Sequence, residues 1–526
     1  MRQELQYRPI DEKYPLTWRA MHAERGPEWV SKWEPINVKK LEEIISCVPG
    51  LDVPLDKLRE DPVKFAMVES VVDAFVSCFG TRFEKPGVLW DLRRARFGEN
   101  GPILSSFTAN HFDAPGVFFP LGRGGGRLGG GAIAKNMLAI EDRTNGKSTL
   151  NEISPIRLGE EGGVFVASFI TPNKNVWQWE FVPDKAEDYY LEPLDGSGLV
   201  RVGNVLLHCK FSGFGITDIG ESCDEGCVQC NVLRGSGRAS EQHRDRMKRV
   251  LQIMRNRQKS SEVVDFGTPS SGSNSGPDGG YFAAFGRTME EIDKLGVGRA
   301  RLQLEMVLPR DRDSWPKIIE NIGFYVDKRW KISLAINLEV LQDEYRSVLL
   351  RGYHKGSTTV ADHIEFAKML REAVGEKVSI NSLVMFGMKP LEISDEEYLI
   401  SQLKAIQQLA DKGICVDLNP VKNGTRKNSQ GPVFLEVFPP VDPIQYWIQE
   451  IANVVIQIKA QKERRYIPSE RGCVGGGKNC SLCNAEKTIR RFVNIAGRNG
   501  VLIPELLKPF LEKIGVRYQQ YFEGLF

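Results

Sequence analysis

The sequence has no long hydrophobic run. Among its 526 residues there is no uninterrupted apolar stretch of the ~20 residues that a membrane-spanning helix needs. The first residues, MRQELQYRPIDEKY, also lack the apolar core of a secretory signal peptide. We therefore expect a cytoplasmic protein that has no membrane partner.

The sequence also has no large excess of positive or negative charge. Lys plus Arg number 70 and Asp plus Glu 68, so the formal net charge is +2 and the overall field does not predict nucleic-acid binding. Residues 244–259 are a local exception, because they contain seven basic side chains against Asp245. This segment could bind RNA phosphates, but no aromatic side chains for base stacking accompany it, and a solvated helix explains it equally well. RNA is therefore a possible but less favoured partner.

The composition is that of a folded protein with several domains. The apolar fraction of 41% and the charged fraction of 26% are typical of globular chains. With roughly 100–200 residues per domain, a chain of this length should contain more than one. Composition and periodicity predict four units: a helical domain at 1–97, a β-rich domain at 98–199, an alternating strand and helix domain at 200–433, and a mainly helical domain at 434–526.

Individual elements can be predicted within these units. Helical spacing of apolar residues predicts helices at 38–47, 62–79, 241–257, 397–409, 444–462, 485–495 and 504–514. Short apolar or alternating runs predict strands at 163–170, 176–182, 205–209, 263–266, 301–308, 331–338, 378–386 and 414–418. The alternation of strands with helices after residue 200 is typical of a parallel sheet or barrel.

Several of these strands alternate polar with apolar residues. In the strand at 301–308, Arg301, Gln303 and Glu305 alternate with leucine and methionine, and the strands at 331–338 and 414–418 follow the same rule. Parallel strands covered by helices on both faces are continuously apolar instead. One polar face fits a barrel with a polar lumen, whose active site is built at the C-terminal strand ends. An open sheet with one solvent-facing side is the alternative.

Six of the ten cysteines lie in two short segments. In the first, Cys223, Cys227 and Cys230 have the spacing Cys-x3-Cys-x2-Cys. Because the cytosol keeps thiols reduced, we expect a metal site here and not disulfides. Three thiolates this close can each bind one iron of a [4Fe–4S] cluster, which leaves the fourth iron without a protein ligand. A structural zinc site completed by His208 or Cys209 is the alternative.

This cysteine spacing, after the first strand and before the first helix of the 200–433 unit, resembles the signature of radical S-adenosylmethionine (SAM) enzymes. The resemblance covers residues 202–432. It implies an α/β fold with a partial (β/α)6 TIM barrel, a [4Fe–4S] cluster and SAM as cofactors, and a low-potential electron donor such as flavodoxin or ferredoxin. The implied reaction cleaves SAM reductively to a 5′-deoxyadenosyl radical, which abstracts hydrogen from a small-molecule or peptide substrate. RNA modification and a non-catalytic, zinc-stabilised binding protein are the alternatives.

Two strand ends resemble SAM-binding segments of the same family. After the second parallel strand, Gly267 and Thr268 stand near the place of a Gly-Gly-Glu segment, which implies acceptors for the SAM ammonium group, although the glutamate is missing. After the fourth, INLEV is similar to the Asn-Leu-Glu segment of lipoyl synthases and their biotin synthase-like relatives. That similarity implies that Asn337 and Glu339 contact the ribose or carboxylate of SAM. Period two would place both on one face of the strand.

After the fifth strand, VMFG resembles the segment that supports adenine in these relatives, which implies roles for Phe386 and Gly387. Gln229 stands where the family usually has an aromatic residue, so Phe386 is the candidate for adenine stacking. Cys415, alone on the polar face of the sixth strand, is a candidate hydrogen-atom donor. A lone cysteine is also commonly just a small buried residue.

The second cysteine segment contains Cys473, Cys480 and Cys483. Many radical SAM enzymes are similar in having an auxiliary iron–sulfur cluster beyond the barrel, which implies a second cluster in this mainly helical C-terminal domain. Structural zinc and free thiols are the alternatives. The substrate itself is not identified by any of these residues.

Overall fold

The computed structural model of the protein describes residues 38–79, 82–83, 117–119, 126–128, 155–170, 176–180, 201–202, 205–210, 213–218, 263–268, 299–327, 331–350, 354–389, 393–421, 426–428, 431–433, 441–463 and 485–526. These residues form a mixed α/β structure. The two cysteine segments and the helix predicted at 241–257 lie outside the described residues.

The N-terminal part contains helices α1 (Val38–Ser46), α2 (Leu55–Leu58) and α3 (Pro62–Phe79), and strands β1 (Arg82–Phe83), β2 (Val117–Phe119), β3 (Gly126–Leu128), β4 (Ile156–Glu161), β5 (Val164–Ile170) and β6 (Val176–Glu180). Strands β1, β4, β5 and β6 form a four-stranded sheet in that order, and β2 pairs with β3. The helices predicted at 38–47 and 62–79 and the strands predicted at 163–170 and 176–182 are confirmed, with ends shifted by at most two residues.

The main sheet has eight strands: β7 (Arg201–Val202), β8 (Val205–Lys210), β9 (Gly213–Asp218), β10 (Val263–Thr268), β11 (Arg299–Met306), β12 (Lys331–Ile336), β13 (Val378–Phe386) and β14 (Ile414–Pro420). Their spatial order is β14-β13-β12-β11-β10-β9-β8-β7. Strands β9 to β14 run parallel to one another, whereas β7 and β8 are antiparallel additions beside β9.

The first parallel strand differs from the prediction. The strand predicted at 205–209 exists as β8, but it pairs antiparallel with β9. Strand β9 was not predicted, because Gly213 and Gly215 lower the β propensity of its sequence. The order of strands ends at β14 and β7, and no pairing between these two is present among the described residues. Six parallel strands are therefore established, and closure into a barrel stays a prediction.

The alternation predicted for the strands is confirmed by their register. On one face apolar residues are paired: Leu302 with Ile332, Leu304 with Leu334, Leu334 with Ile380, and Ile380 with Ile414. On the other face Gln303 pairs with Ser333, and Ser333 with Ser379. In these strands, residues two positions apart lie on the same face, and adjacent residues lie on opposite faces. The sheet has one apolar and one polar face.

Helices α4 (Trp315–Asp327), α5 (Asp343–Leu349), α6 (Val360–Val374) and α7 (Asp395–Asp411) connect these strands, and the hairpin β15 (Arg426–Asn428) and β16 (Gly431–Val433) leads to the C-terminal helices α8 (Pro443–Lys462), α9 (Glu486–Arg498), α10 (Ile503–Ile514) and α11 (Val516–Glu523). The helices predicted at 397–409, 444–462, 485–495 and 504–514 are confirmed. Of the helices that the structure describes, none is both long and apolar enough to cross a bilayer.

Helix α8 lies along the edge of β14 that pairs with no described strand, and it contacts this edge with polar side chains. Asn453 Nδ2 and Gln457 Nε2 donate to the carbonyl of Val416 at 3.1 and 2.6 Å. Tyr446 donates its hydroxyl to the carbonyl of Leu418 at 3.2 Å. Burial raises the pKa of Tyr446 well above its usual value, so the hydroxyl keeps its proton and remains a donor. These bonds take the place of a further strand at this edge.

Helix α3 is buried along most of its length after the first turn, and it joins the N-terminal and C-terminal parts of the chain. Its apolar residues share a core with α8, α9 and the four-stranded sheet. Three of its buried polar side chains have partners on α8 or α9: Glu69 with Arg491 (3.0 Å), Ser70 with Trp447 (2.8 Å) and Asp73 with Thr488 (2.8 Å). The predicted 1–97 and 434–526 units therefore contact each other directly, and their boundaries stay predictions.

The Glu69–Arg491 pair yields a stability prediction. Burial raises the pKa of Glu69 and Arg491 opposes this shift, so Arg491→Met should leave a buried carboxylate without its counter-charge. We expect a loss of about 1–3 kcal/mol at pH 8. Because the folded-state pKa is raised, the loss should shrink as the pH falls and Glu69 is protonated. Urea unfolding followed by tryptophan fluorescence measures it.

The matched control is the double variant Glu69→Gln/Arg491→Met, which removes both charges. It should recover most of the lost stability, because a neutral amide costs less to bury than a carboxylate. Equal unfolding midpoints for the wild type and Arg491→Met would show that the pair contributes nothing.

Candidate functional site at the carboxyl end of strand β12

The carboxyl end of β12 contains a β-bulge. Ala335 pairs with Asn381, and Glu339 pairs with Val384 in an isolated parallel bridge. Four residue steps on the β12 side therefore oppose three on β13, so one extra residue lies between Ala335 and Glu339. Bulges of this kind redirect side chains and are common beside functional sites.

Side chains complete the hydrogen bonding across the bulge. Asn337 Oδ1 accepts a bond from the backbone N–H of Leu383 at 3.2 Å. Ser382 Oγ accepts a bond from the N–H of Leu338 at 3.0 Å. Main-chain pairing resumes at Glu339, whose N–H donates to the carbonyl of Leu383 at 2.8 Å. Asn337 is thus already engaged in holding β12 to β13.

Glu339 has an unusual backbone conformation. Its φ of 61° makes it the one residue other than glycine with positive φ among the described residues. This conformation costs about 1–2 kcal/mol for an ordinary residue. The carboxylate is buried and forms an ion pair with Lys355 Nζ, which is buried as well. The bulge also interrupts the period of two, so strand alternation alone does not place Asn337 and Glu339 on one face, and their contact with one ligand stays a prediction.

Arg346 ties the turn that contains Lys355 to the end of β12. The side chain is 1% exposed. Its Nη1 donates to the carbonyls of Leu338 and Val340, both at 2.6 Å. Its Nε donates to the carbonyl of Thr358 at 2.6 Å, and Nη2 to that of Lys355 at 3.0 Å. The guanidinium fixes the two segments that carry the Glu339–Lys355 pair.

His363 of α6 is buried close to this cluster. Its Nδ1 lies 2.8 Å from the carbonyl of Thr359, and its Nε2 has no hydrogen-bond partner among the described residues. Burial, followed by the positive charge of Arg346, lowers the pKa of His363 to about 3. The ring is therefore neutral, with Nδ1 as the donor to Thr359 and Nε2 as an acceptor.

The proposed adenine residues lie at the end of β13. Phe386 is buried between the rings of Tyr398 and Tyr446, with centroids 6.0 and 5.6 Å away. Gly387 has a φ of 97°, and a Cβ there would lie 2.5 Å from Val441 Cγ2. Local packing thus explains both residues. Phe386 is 3% exposed, so stacking of adenine on its ring would require side chains around it to move, and contact with SAM stays a prediction.

The remaining predicted residues are Cys415, Gly267, Thr268 and the six clustered cysteines. Cys415 is 1% exposed, and its Sγ donates to Gln457 Oε1 at 2.9 Å. This agrees with a small buried residue, and its role as a hydrogen-atom donor stays a prediction. Gly267 and Thr268 end β10, in register with β11. All six clustered cysteines lie outside the described residues, and within the described part no group of three or more His, Cys, Asp or Glu could hold a metal.

Sequence reasoning did not identify Arg346, Lys355, His363 or Asn381. The start of α6 could have been placed from its capping box, in which Thr359 and Asp362 bond each other's backbone. No local pattern marks Lys355, because its partner is sixteen residues away across a helix.

Comparison with known proteins adds little. No family model matches the chain, and no curated protein matches it. Among solved structures it is similar to TsrM, a radical SAM methyltransferase from Kitasatospora setae with cobalamin and a [4Fe–4S] cluster bound. The identity is 15%, the TM-score is 0.30, and the match covers 69% of this chain and 61% of that chain. Similarity at this level establishes neither a family nor a shared reaction.

The buried His363 predicts a pH dependence of stability. The folded state takes up the His363 proton only near pH 3, whereas the unfolded chain takes it up near its usual value of 6.5. The free energy of unfolding should therefore fall as the pH is lowered through this window, by about 1.4 kcal/mol per pH unit for this one group. Its contribution is fully present above pH 6.5.

His363→Gln keeps a neutral donor for Thr359 but cannot titrate. Urea unfolding between pH 7 and 4 should show a shallower loss of stability for this variant than for the wild type. Parallel curves for the two proteins would mean that His363 becomes protonated in the folded state.

Proposed function

We propose that this chain is a radical SAM enzyme that acts on a small-molecule or peptide substrate. The proposal depends chiefly on one observation, the Cys-x3-Cys-x2-Cys spacing of Cys223, Cys227 and Cys230. Cys223 comes five residues after the end of β9, the first parallel strand of the main sheet. Ligand sites of parallel α/β folds lie at the carboxyl ends of their strands.

The donor set fits a [4Fe–4S] cluster. The three thiolates of this short segment would bind three of the four irons, and the fourth iron would stay open for SAM. When bound, the cluster supplies the electron that cleaves SAM to methionine and a 5′-deoxyadenosyl radical, which takes hydrogen from the substrate. A low-potential protein such as flavodoxin or ferredoxin would supply this electron.

The carboxyl end of β12 would contribute to SAM binding. The carboxylate of Glu339 can accept hydrogen bonds from ribose hydroxyls, and Lys355 balances its negative charge in a buried position. Arg346 holds both segments in place and so keeps the carboxylate oriented. Asn337 has its side-chain oxygen engaged by Leu383, so only its Nδ2 group is proposed to face SAM.

Two other functions compete with this proposal. In a non-catalytic binding protein, the same cysteines would hold structural zinc. Anaerobic purification distinguishes the two: a brown protein with a charge-transfer absorption band supports the cluster, and a colourless protein with stoichiometric zinc contradicts it. An RNA-modifying enzyme would share the same reaction with SAM, and co-purification of RNA with the anaerobic protein would favour it.

Removal of the first cysteine group should abolish SAM cleavage. The variant Cys223→Ala/Cys227→Ala/Cys230→Ala has no site from which an electron can reach the sulfonium. We expect no 5′-deoxyadenosine in the presence of dithionite and SAM, measured by chromatography. The matched control is Cys47→Ala, which removes an exposed cysteine near α1 and should retain full cleavage. Cleavage by the triple variant would refute the assignment.

Removal of the second group should have a different result. Cys473, Cys480 and Cys483 come more than fifty residues after the end of β14, so they are proposed to bind a cluster that does not bind SAM. The triple Ala variant should lose about one cluster of iron and sulfide while 5′-deoxyadenosine still forms. Loss of zinc with unchanged iron would instead identify a structural zinc site. Loss of SAM cleavage in the folded variant would contradict the separation of roles.

A further inference from the structure

Asn381 on the polar face of the main sheet has an unsatisfied acceptor. The residue is 8% exposed and lies in the middle of β13. Its Nδ2 donates to Asp417 Oδ2 of β14 at 3.3 Å. Its Oδ1 is buried and has no partner among the described residues. Buried polar atoms without partners are rare in folded proteins, so this atom calls for a ligand.

The contact with Asp417 fixes the orientation of the amide. A rotated side chain would place Oδ1 against the Asp417 carboxylate, and two acceptors would then oppose each other. The unsatisfied atom is therefore the oxygen, and it needs a donor. An apolar side chain of similar size at position 381 would avoid the cost of an unpaired oxygen altogether.

The two faces of β13 differ in burial. Ser379, Leu383 and Asp417, on the same face by register, are only half-buried. Residues on the opposite face of β13, such as Ile380 and Val384, are fully buried in the core. The polar face around Asn381 is thus more accessible than the apolar face, which packs into the core.

This position is separate from the carboxyl end of β12. Asn381 precedes Val384, the bridge partner of Glu339, by three residues. At about 3.3 Å per residue, the two sites lie roughly 10 Å apart along the strands. A ligand at Asn381 would therefore lie deeper along the polar face than one held by Glu339.

We propose that Asn381 and Asp417 bind a protonated primary amine of the substrate. An ammonium group donates three hydrogen bonds and carries a positive charge. It would satisfy Asn381 Oδ1 and be attracted by the adjacent Asp417 carboxylate, which makes charge-assisted bonds with such donors. The assignment of this amine to the substrate rests on the proposed radical SAM function, whereas binding of the amine itself does not.

The test is a saturation-transfer NMR titration of the anaerobically purified full chain at pH 7. The probe is propylammonium, compared with propyltrimethylammonium, which has the same charge but no N–H donor. We expect binding of propylammonium only. Asn381→Leu and Asp417→Asn should each weaken it about tenfold, as loss of a charge-assisted hydrogen bond predicts. Ser379→Ala, on the same face of β13, is the matched control and should bind normally.

The proposal is wrong if the wild type does not bind propylammonium, which is the result expected if Oδ1 binds only water. It is also wrong if the two probes bind equally, or if both variants bind propylammonium as tightly as the wild type does. Asp417→Asn preserves side-chain shape and keeps the test valid if Asn381→Leu does not fold. Displacement of the probe by SAM would assign the site to SAM and contradict a substrate site.

Failure of the proposed function remains distinguishable. The Cys223→Ala/Cys227→Ala/Cys230→Ala variant should bind propylammonium as the wild type does, because its substitutions leave β13 and β14 unchanged. If the wild type binds propylammonium but does not cleave SAM, the amine site is supported and the proposed radical SAM function is not. Loss of binding in this folded variant would contradict the amine site as proposed.

Discussion

The structure depends on hydrogen bonds that α8 makes to the last strand of the main sheet. A parallel sheet that ends at β14 presents carbonyls that need donors, and the side chains of Asn453, Gln457 and Tyr446 provide them. The same helix is buried against α3 and α9 on its other sides. Sheet, α8 and α3 therefore form successive layers, and α3 connects them to the four-stranded N-terminal sheet. Parts of the chain that are far apart in sequence form one core.

Much of this architecture follows from sequence periodicity. The ends of α3 and the helical spans of α7 to α10 could be predicted because amphipathic or apolar helices have strong local patterns. The polar and apolar faces of β11, β12 and β14 were predictable for the same reason. Strand β9 was not, because glycine-rich strands depend on their neighbours for stability and have a weak local pattern.

The candidate site was harder to predict than the fold. Asn337 and Glu339 were selected from the residues, but their geometry depends on one extra residue in β12, which only pairing with β13 reveals. The partner of Glu339 is Lys355, which lies in a turn after α5. Arg346 donates to backbone carbonyls, and because every residue has one, the sequence does not indicate which of them it contacts. Neither kind of contact leaves a pattern in the sequence. The cost of the positive φ at Glu339 is offset by these surrounding contacts, as is common where backbone strain is retained.

The covering of β14 by α8 has a consequence during protein synthesis. Strand β14 leaves the ribosome before residues 443–462, so the growing chain passes through a stage in which its parallel strands can pair but their last edge is bare. An uncovered edge is a template for pairing with other chains. A nascent or truncated chain that ends before α8 is therefore prone to aggregate. Once α8 has emerged, it covers this edge and prevents pairing with other chains.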